Sequence, residues 1–148
     1  PIVKEATATV GATGDILMHM PVVNSGYNST TGTYDFNEMF DHFKESVNAV
    51  DFAIANLEVT LCSDDNGFEY QGYPIFNCPD AIVDALKNAG FDMLLTANNH
   101  SYDTRTVGLN RTLEIIADRA LDHLGTQASA DEPDYLLVER GGMALYGN

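Results

Sequence analysis

Phe91-Asp92-Met93-Leu94-Leu95-Thr96-Ala97-Asn98-Asn99-His100-Ser101-Tyr102-Asp103 begins as an apolar run and ends in a dense set of polar groups. Phe91 to Thr96 reads as a short buried strand. Two amides, an imidazole and a carboxylate then follow within six positions. A helical pattern begins soon after. The unit is strand, loop, helix, with chemistry at the strand's carboxyl end, where open α/β sheets place their ligands. Asn oxygens and a neutral imidazole can ligate a metal, and an imidazole can also move a proton. An Asn-rich turn with a helix cap is the plainer alternative for this stretch.

The pattern recurs towards the N-terminus. Ala6 to Thr13 reads as a first strand rich in β-branched and small residues, ending at Gly14-Asp15. His19 follows four residues beyond that carboxylate. Asp51 to Ala55 reads as a second strand running into Asn56-Leu57-Glu58. Asn56 and Glu58 lie two apart, so in extended chain they point the same way.

The segments between these strands are helical or loop-like. Asn24 to Thr33 is polar and reads as an exposed loop. Asp35 has the character of a helix N-cap, and Phe36, Met39, Phe40, Phe43, Val47 and Val50 recur at helical spacing. That stripe is core. Cys78-Pro79-Asp80 starts the next helix, with Ile82, Val83, Leu86 and Ala89 inward and Gly90 as its stop. A third helix spans about Thr106 to Ala120, with Leu109, Leu113, Ile116 and Ala120 as its inner stripe. Leu124 to Thr126 reads as a short strand. Tyr135 to Glu139 and Met143 to Tyr146 pair as a hairpin about Gly141-Gly142.

The chain has 148 residues, enough for one domain with a real core. Its net charge is -15, from 22 acidic and 7 basic residues. That argues against nucleic acid as a partner, because nucleic-acid binding needs a basic footprint. It also argues against simple docking on anionic lipid. No apolar run approaches ~20 residues, so no segment reads as a transmembrane helix. Pro1 to Glu5 lacks the apolar core of a signal peptide, and a start at Pro1 suggests a trimmed or mature fragment, from which an upstream anchor could have been removed. Cys62 and Cys78 flank the long loop from Leu61, which carries Phe68, Tyr70, Tyr73 and Phe76. The isolated pair predicts a disulfide closing that loop in an oxidising compartment, with two free thiols as the alternative.

Alternation of strands and helices predicts an α/β fold with a largely parallel sheet. Right-handed crossovers bring the carboxyl ends of parallel strands to one edge, so Asp15, Glu58 and the Asn99-His100 pair should converge there. Oxygen and nitrogen donors without thiolate suit Mn, Mg, Fe or Zn, and such an ion can activate a water. Alternatively, Asp15 and Glu58 cap helices or bind their own backbone.

Gly14-Asp15-Ile16-Leu17, Ala55-Asn56-Leu57-Glu58, Ala97 to Asp103, and Gly108-Leu109 with Thr112-Leu113 together resemble the CapA family of bacterial poly-γ-glutamate capsule biosynthesis proteins. That family is related in fold to calcineurin-like metallophosphatases. The resemblance runs along essentially the whole chain, and the Asn-Asn-His block followed by Asp is its specific part. It implies a layered metallophosphatase-like sandwich, of which residues 1–148 form the N-terminal portion. It implies metal ligation by Asp15, by Glu58 as a bridging group, and by Asn99. His100 then stands beside the reacting phosphoryl group, with Asp103 orienting it. His19 is a further candidate ligand, although it lies farther from its Asp than the superfamily's first His does. Asn56 and Asn98 belong to the rim.

The superfamily completes its metal site with histidines from a second half of the fold. After His100 only His123 remains here, read as a helix-exit residue; a fragment of a larger domain is therefore expected. The resemblance implies a divalent metal and an anionic polymer or small phosphoester as substrate. It also implies membrane-associated capsule-synthesis proteins as partners and an extracellular, membrane-anchored position; self-association as a homo-oligomer stays open. A working metal-dependent hydrolase of phosphoesters or amides, and a non-catalytic binding module with a vestigial site, are the competing functions.

Overall fold

The computed structural model describes residues 6–140 and 143–147. Its centre is a four-stranded parallel sheet with spatial order β1-β4-β5-β6. The elements, in chain order, are β1 (Val10–Ile16), α1 (Met20–Ser25), β2 (Tyr27–Asn28), β3 (Thr33–Tyr34), a 3₁₀ turn (Asn37–Phe40), α2 (Lys44–Val47) and β4 (Phe52–Leu57). There follow a second 3₁₀ turn (Asp64–Asn66), α3 (Ala81–Ala89), β5 (Met93–Leu95), α4 (Arg105–Asp118), β6 (Asp122–Leu124), β7 (Leu136–Arg140) and β8 (Met143–Gly147). The expected mixed α/β architecture with parallel strands is the one found.

Each strand of the sheet lies beside its predecessor in the sheet's chain order. Right-handed crossovers in that order place every connecting helix on one face. Side-chain alternation in β4 divides the two layers. Ala53, Ala55 and Leu57 pack with Val23, Phe40, Leu86 and Ile116 of the connecting segments. Phe52 and Ile54 point the other way, onto Met93, Leu124, Val138 and Leu145. The antiparallel β7–β8 hairpin therefore covers the second face. Asp92 and Arg140 brace this layer. An Asp92 carboxylate oxygen accepts the Ala53 N–H at 2.8 Å, and the Arg140 guanidinium lies over the Phe52 ring, 5.4 Å from its centre.

Helix α3 forms as its residue types dictate. Pro79 stands just before it, Ile82, Val83 and Leu86 are fully buried, and Gly90 ends it at φ 108. A left-handed C-terminal residue costs a glycine almost nothing. Burial of each of these three side chains is worth roughly 1.5–3 kcal/mol, so Leu86→Ala would cost about 2–5 kcal/mol with its cavity included.

The long helix expected from Phe36 to Val50 is instead a 3₁₀ turn followed by the short α2. A 3₁₀ turn advances with about three residues per turn rather than about 3.6, which rotates Met39 and Phe43 off the buried stripe. Both are 45% exposed, while Phe36, Phe40 and Val47 are core. Asp35 is not the N-cap, which is Phe36 and makes no side-chain capping bond; its carboxylate accepts the Asn37 N–H at 2.9 Å one residue earlier, as a local turn. Residues 24–33 are almost wholly exposed, as expected, but they include the β2–β3 ribbon. Ala120 is exposed and lies beyond α4. His123 belongs to strand β6 and not to a helix exit. The turn at Gly141-Gly142 lies outside the described residues.

Cys62 and Cys78 are free thiols, both fully buried, so the loop between them is not closed by a disulfide here. Hydrogen bonding holds it instead. Asn77 is completely buried; its side-chain oxygen accepts the Cys62 N–H, and its amide donates to the carbonyls of Cys62 and Glu69. The Arg111 guanidinium adds a fork onto Asp80, at 2.6 and 2.7 Å, and a bond to the Leu61 carbonyl. Its side chain thus ties the loop's start to α3 and α4.

Candidate functional site

The polar groups at the carboxyl ends of β1, β4 and β5 form one hydrogen-bonded network, and Asn56 is its hub. The Asn56 amide nitrogen donates to Asp15 Oδ1 at 2.7 Å and to Glu58 Oε2 at 3.0 Å. Its amide oxygen accepts from Asn98 Nδ2 at 3.1 Å. Carboxylates only accept, so the NH₂ group must face them, which sets the amide's orientation. Asn56 and Glu58 do lie on one side of the extended chain, as their two-residue spacing predicts.

Asp15 reaches this network through an irregularity in β1. The register runs Ala12 opposite Ile54 and then Asp15 opposite Asn56, so β1 carries one extra residue between them. An inserted residue reverses the alternation of every side chain beyond it. Without it Asp15 would fall opposite Leu57, on the helix-covered face. Gly14 lies within this segment, where its missing side chain leaves open space.

Beyond β5 the loop builds the second part of the site. Asn98 donates to the Leu57 carbonyl as well as to Asn56, and its own oxygen accepts the His100 N–H at 3.0 Å. His100 Nδ1 meets Asp103 Oδ2 at 2.8 Å, with both side chains about 15% exposed. The same Oδ2 accepts the Phe76 N–H at 2.6 Å. An acceptor-only carboxylate requires Nδ1 to carry the hydrogen, which leaves Nε2 as the nitrogen available to a ligand. Asp103 stands to His100 as carboxylates stand to the imidazoles they orient.

Burial pushes the Glu58 carboxyl above its ordinary range, and the neighbouring Asp15 adds to that shift. The charge of His100 and the Asn56 hydrogen bond offset part of it. Two carboxylates sharing one amide donor are short of positive charge, and a proton on Glu58 is one way to supply it.

The residues singled out from sequence fall into three groups. Asp15, Asn56, Glu58, Asn98, His100 and Asp103 are joined, directly or through one another, by side-chain hydrogen bonds. His19 precedes α1 and is exposed; its ring meets the Phe76 ring edge-to-face at 4.9 Å. Asn99 is exposed and makes no side-chain hydrogen bond to another described residue. Among the described residues no three His, Cys, Asp or Glu side chains are grouped to hold a metal ion. The acidic pair is completed by amides.

Sequence reasoning placed Phe76 on the long loop without linking it to His100. Its ring lies edge-to-face against the His100 ring at 4.6 Å, so it stands between two imidazoles. The one available signal was that Phe76 sits just before Asn77-Cys78, where the loop returns to the core. A cleft of about 540 Å³ between His123 and Leu136, and an apolar cavity of about 310 Å³ beneath the hairpin, are lined by none of the network residues.

Comparison with known proteins matches residues 9–146 to the family described as bacterial capsule synthesis protein PGA_cap. The chain is also 29% identical, over 146 residues, to two proteins of Sinorhizobium fredii (strain NBRC 101917 / NGR234), the uncharacterized proteins y4sH and y4uA. The matched region is 93% of this chain but 29% of either relative, so the chain spans less than a third of their length.

Proposed function

Because the chain belongs to the bacterial capsule synthesis protein family PGA_cap, we propose that it serves capsule assembly through a divalent cation bound at the strand-end network. The mixed α/β fold with its parallel sheet is consistent with a metallophosphatase-like architecture. The observation that carries the reading is the Asn56 amide, which bridges Asp15 and Glu58 where a cation would be expected to sit. A donor between two carboxylates answers the same charge deficit that a metal answers. The donor chemistry fits a hard or borderline ion such as Mn, Mg, Fe or Zn. With two carboxylates and amide oxygens as the protein ligands, several positions would be left to water and substrate.

Asp15 and Glu58 would hold the ion, with Asn99 at the exposed rim as a further oxygen donor. The chemistry such an ion supplies is polarisation of a phosphoryl or carboxyl oxygen and activation of water. Asn56 keeps the two carboxylates together before binding. Asn98 fixes the backbone at His100, and Asp103 fixes its tautomer. His100 Nε2, once it has taken up a proton from solvent, is then the position from which that proton is given to a leaving oxygen. The substrate class we assign is an anionic polymer, poly-γ-glutamate being the one the family resemblance suggests, or a small phosphoester. A chain of net charge -15 would repel either one, so the cation also serves recognition. Membrane-associated capsule-synthesis proteins at the cell surface are the partners this role implies. No helix among the described residues is long and apolar enough to cross a membrane.

Calorimetry with Mn²⁺ on the native chain and on Asp15→Asn/Glu58→Gln, at raised salt to screen diffuse attraction, tests the site. Saturable binding lost in the double variant is the expected result. Equal affinity in both proteins would remove the metal site and leave a non-catalytic binding module.

A further inference from the structure

The Phe76 backbone is held from both sides. Its carbonyl accepts from the Thr60 N–H at 3.1 Å and from the Thr60 hydroxyl at 2.9 Å. Its N–H donates to Asp103 Oδ2 at 2.6 Å. Thr60 and Phe76 are each about 1% exposed. A rigid chain of contacts thus runs from the extension of β4, through the end of the long loop, to the carboxylate that orients His100. Meanwhile the Phe76 ring packs edge-to-face against His100 at 4.6 Å and against His19 at 4.9 Å. Aromatic pairs in this geometry have a preferred orientation and not only a preferred distance.

We propose that Phe76 is the positioning residue of the site: its N–H fixes the Asp103 oxygen that accepts the His100 Nδ1–H hydrogen bond, and its ring fixes the imidazole plane. Two donors, the Phe76 N–H and His100 Nδ1, converge on one carboxylate oxygen. That oxygen cannot rotate away from the imidazole without losing the backbone bond as well. The ring blocks tilting of His100 from the side of the loop. The Phe76 end of the loop is thereby a fixed wall of the site. This inference rests on the reading of His100 as the proton-handling group, but its geometry does not depend on a bound metal.

A residue that only fills core space would be replaced by Leu with no effect on His100 beyond a change of stability. NMR of ¹⁵N-histidine-labelled, chelator-treated Phe76→Leu protein separates the two roles. The His100 Nδ1–H proton should exchange with water about tenfold faster than in the native chain, the equivalent of losing one net hydrogen bond. The ring protons of His19 and His100 should lose the ring-current shift from Phe76. A folded Phe76→Leu protein in which the His100 Nδ1–H exchange is unchanged would overturn the proposal, whatever becomes of the ring-current shift. Should that variant not fold, Thr60→Val decides. It keeps the ring and removes the hydroxyl that holds the Phe76 carbonyl. Faster exchange at His100 supports the proposal, and unchanged exchange overturns it. Mn²⁺ binding, lost in Asp15→Asn/Glu58→Gln, reports separately on the metal reading, so one can fail while the other stands.

Discussion

Asp15 stands beside Asn56 because β1 gains one residue over β4 between Ala12 and Asp15. The inserted residue turns the carboxylate onto the face where Asn56 and Glu58 already point. One amide then holds two acidic groups of adjacent strands at hydrogen-bond distance. A single irregularity of backbone register is what brings the end of β1 into the hydrogen-bonded network of the other two strand ends.

The hub can be inverted by one atom. Asn56→Asp replaces the shared donor with a third carboxylate. In metal-free protein at neutral pH the loss should be about 1–3 kcal/mol, since two hydrogen bonds are replaced by repulsion. A crowded carboxylate holds its proton more tightly when folded, so the deficit should shrink as pH falls. Millimolar Mn²⁺ should also reduce it. Urea denaturation with and without Mn²⁺ at neutral and mildly acidic pH is the measurement. A deficit independent of both pH and cation would mean that the network is not electrostatically strained.

Glu58 predicts a pH dependence of definite sign. Its carboxyl is raised in the folded state, chiefly by burial and then by Asp15. The folded protein therefore binds this proton more tightly than the unfolded chain. The associated stability is present below the ordinary glutamate value of 4.5 and is lost as pH rises through the raised folded value. Glu58→Gln removes the ionisation, so the metal-free variant should exceed the native chain in stability at neutral pH. The advantage should vanish towards pH 4, below the ordinary value. Asp35 and Asp51 are shifted the other way by hydrogen bonds from Asn37 and Thr9, so the comparison must be between variant and native chain at each pH. A Glu58→Gln protein that is less stable at neutral pH without metal would contradict the direction.

The strand-end chemistry was legible because residue type and position coincide. Asp15, Glu58, His100 and Asp103 are polar groups directly after apolar runs, and the two-residue spacing of Asn56 and Glu58 already put them on one side. The β7–β8 pairing was equally visible from alternation. The central position of Asn56 was not legible, because it depends on a register change that β1 does not announce. Asn98 and not Asn99 enters the network because its amide reaches back across the sheet to Asn56 and to the Leu57 carbonyl. Two adjacent amides look alike in sequence, and only the turn geometry separates them. Phe76 was hidden for a different reason: its key donor is a backbone N–H, which every residue except proline carries.

The two thiols predict a labelling pattern. Cys62 and Cys78 are free and wholly buried. Burial pushes both thiols upward. Asp80 adds to the shift at Cys78, while Thr104 and Arg111 offset part of it at Cys62. The thiolate is the reactive form. Iodoacetamide at pH 8 should therefore modify neither residue in the folded chain and both in urea. Mass spectrometry of the intact chain counts the additions. Rapid labelling of the folded protein, or none in urea without reductant, would show that the thiols are exposed or already oxidised.

Ala120 carries the last prediction, and it concerns stability alone. Helix α4 ends with the Leu121 N–H bonded to the Ile116 carbonyl and the Ala120 N–H bonded to the Ala117 carbonyl. That pair of bonds is the Schellman arrangement, and it demands a left-handed residue at Ala120. Ala120 obliges at φ 52. An alanine in this region is strained by about 1 kcal/mol or more, whereas glycine is not. Ala120→Gly relieves the strain but adds freedom to the unfolded chain, at a cost of about 0.4–1 kcal/mol. The residue is exposed and touches none of the site network, so nothing else is lost. A net gain of up to about 1 kcal/mol is expected, seen as a higher urea midpoint at an unchanged slope. Ala120→Val should move the midpoint the other way, because a β-branched side chain tolerates φ near 52 least. A lower midpoint for the glycine variant than for the native chain would mean that the left-handed turn is not what ends α4.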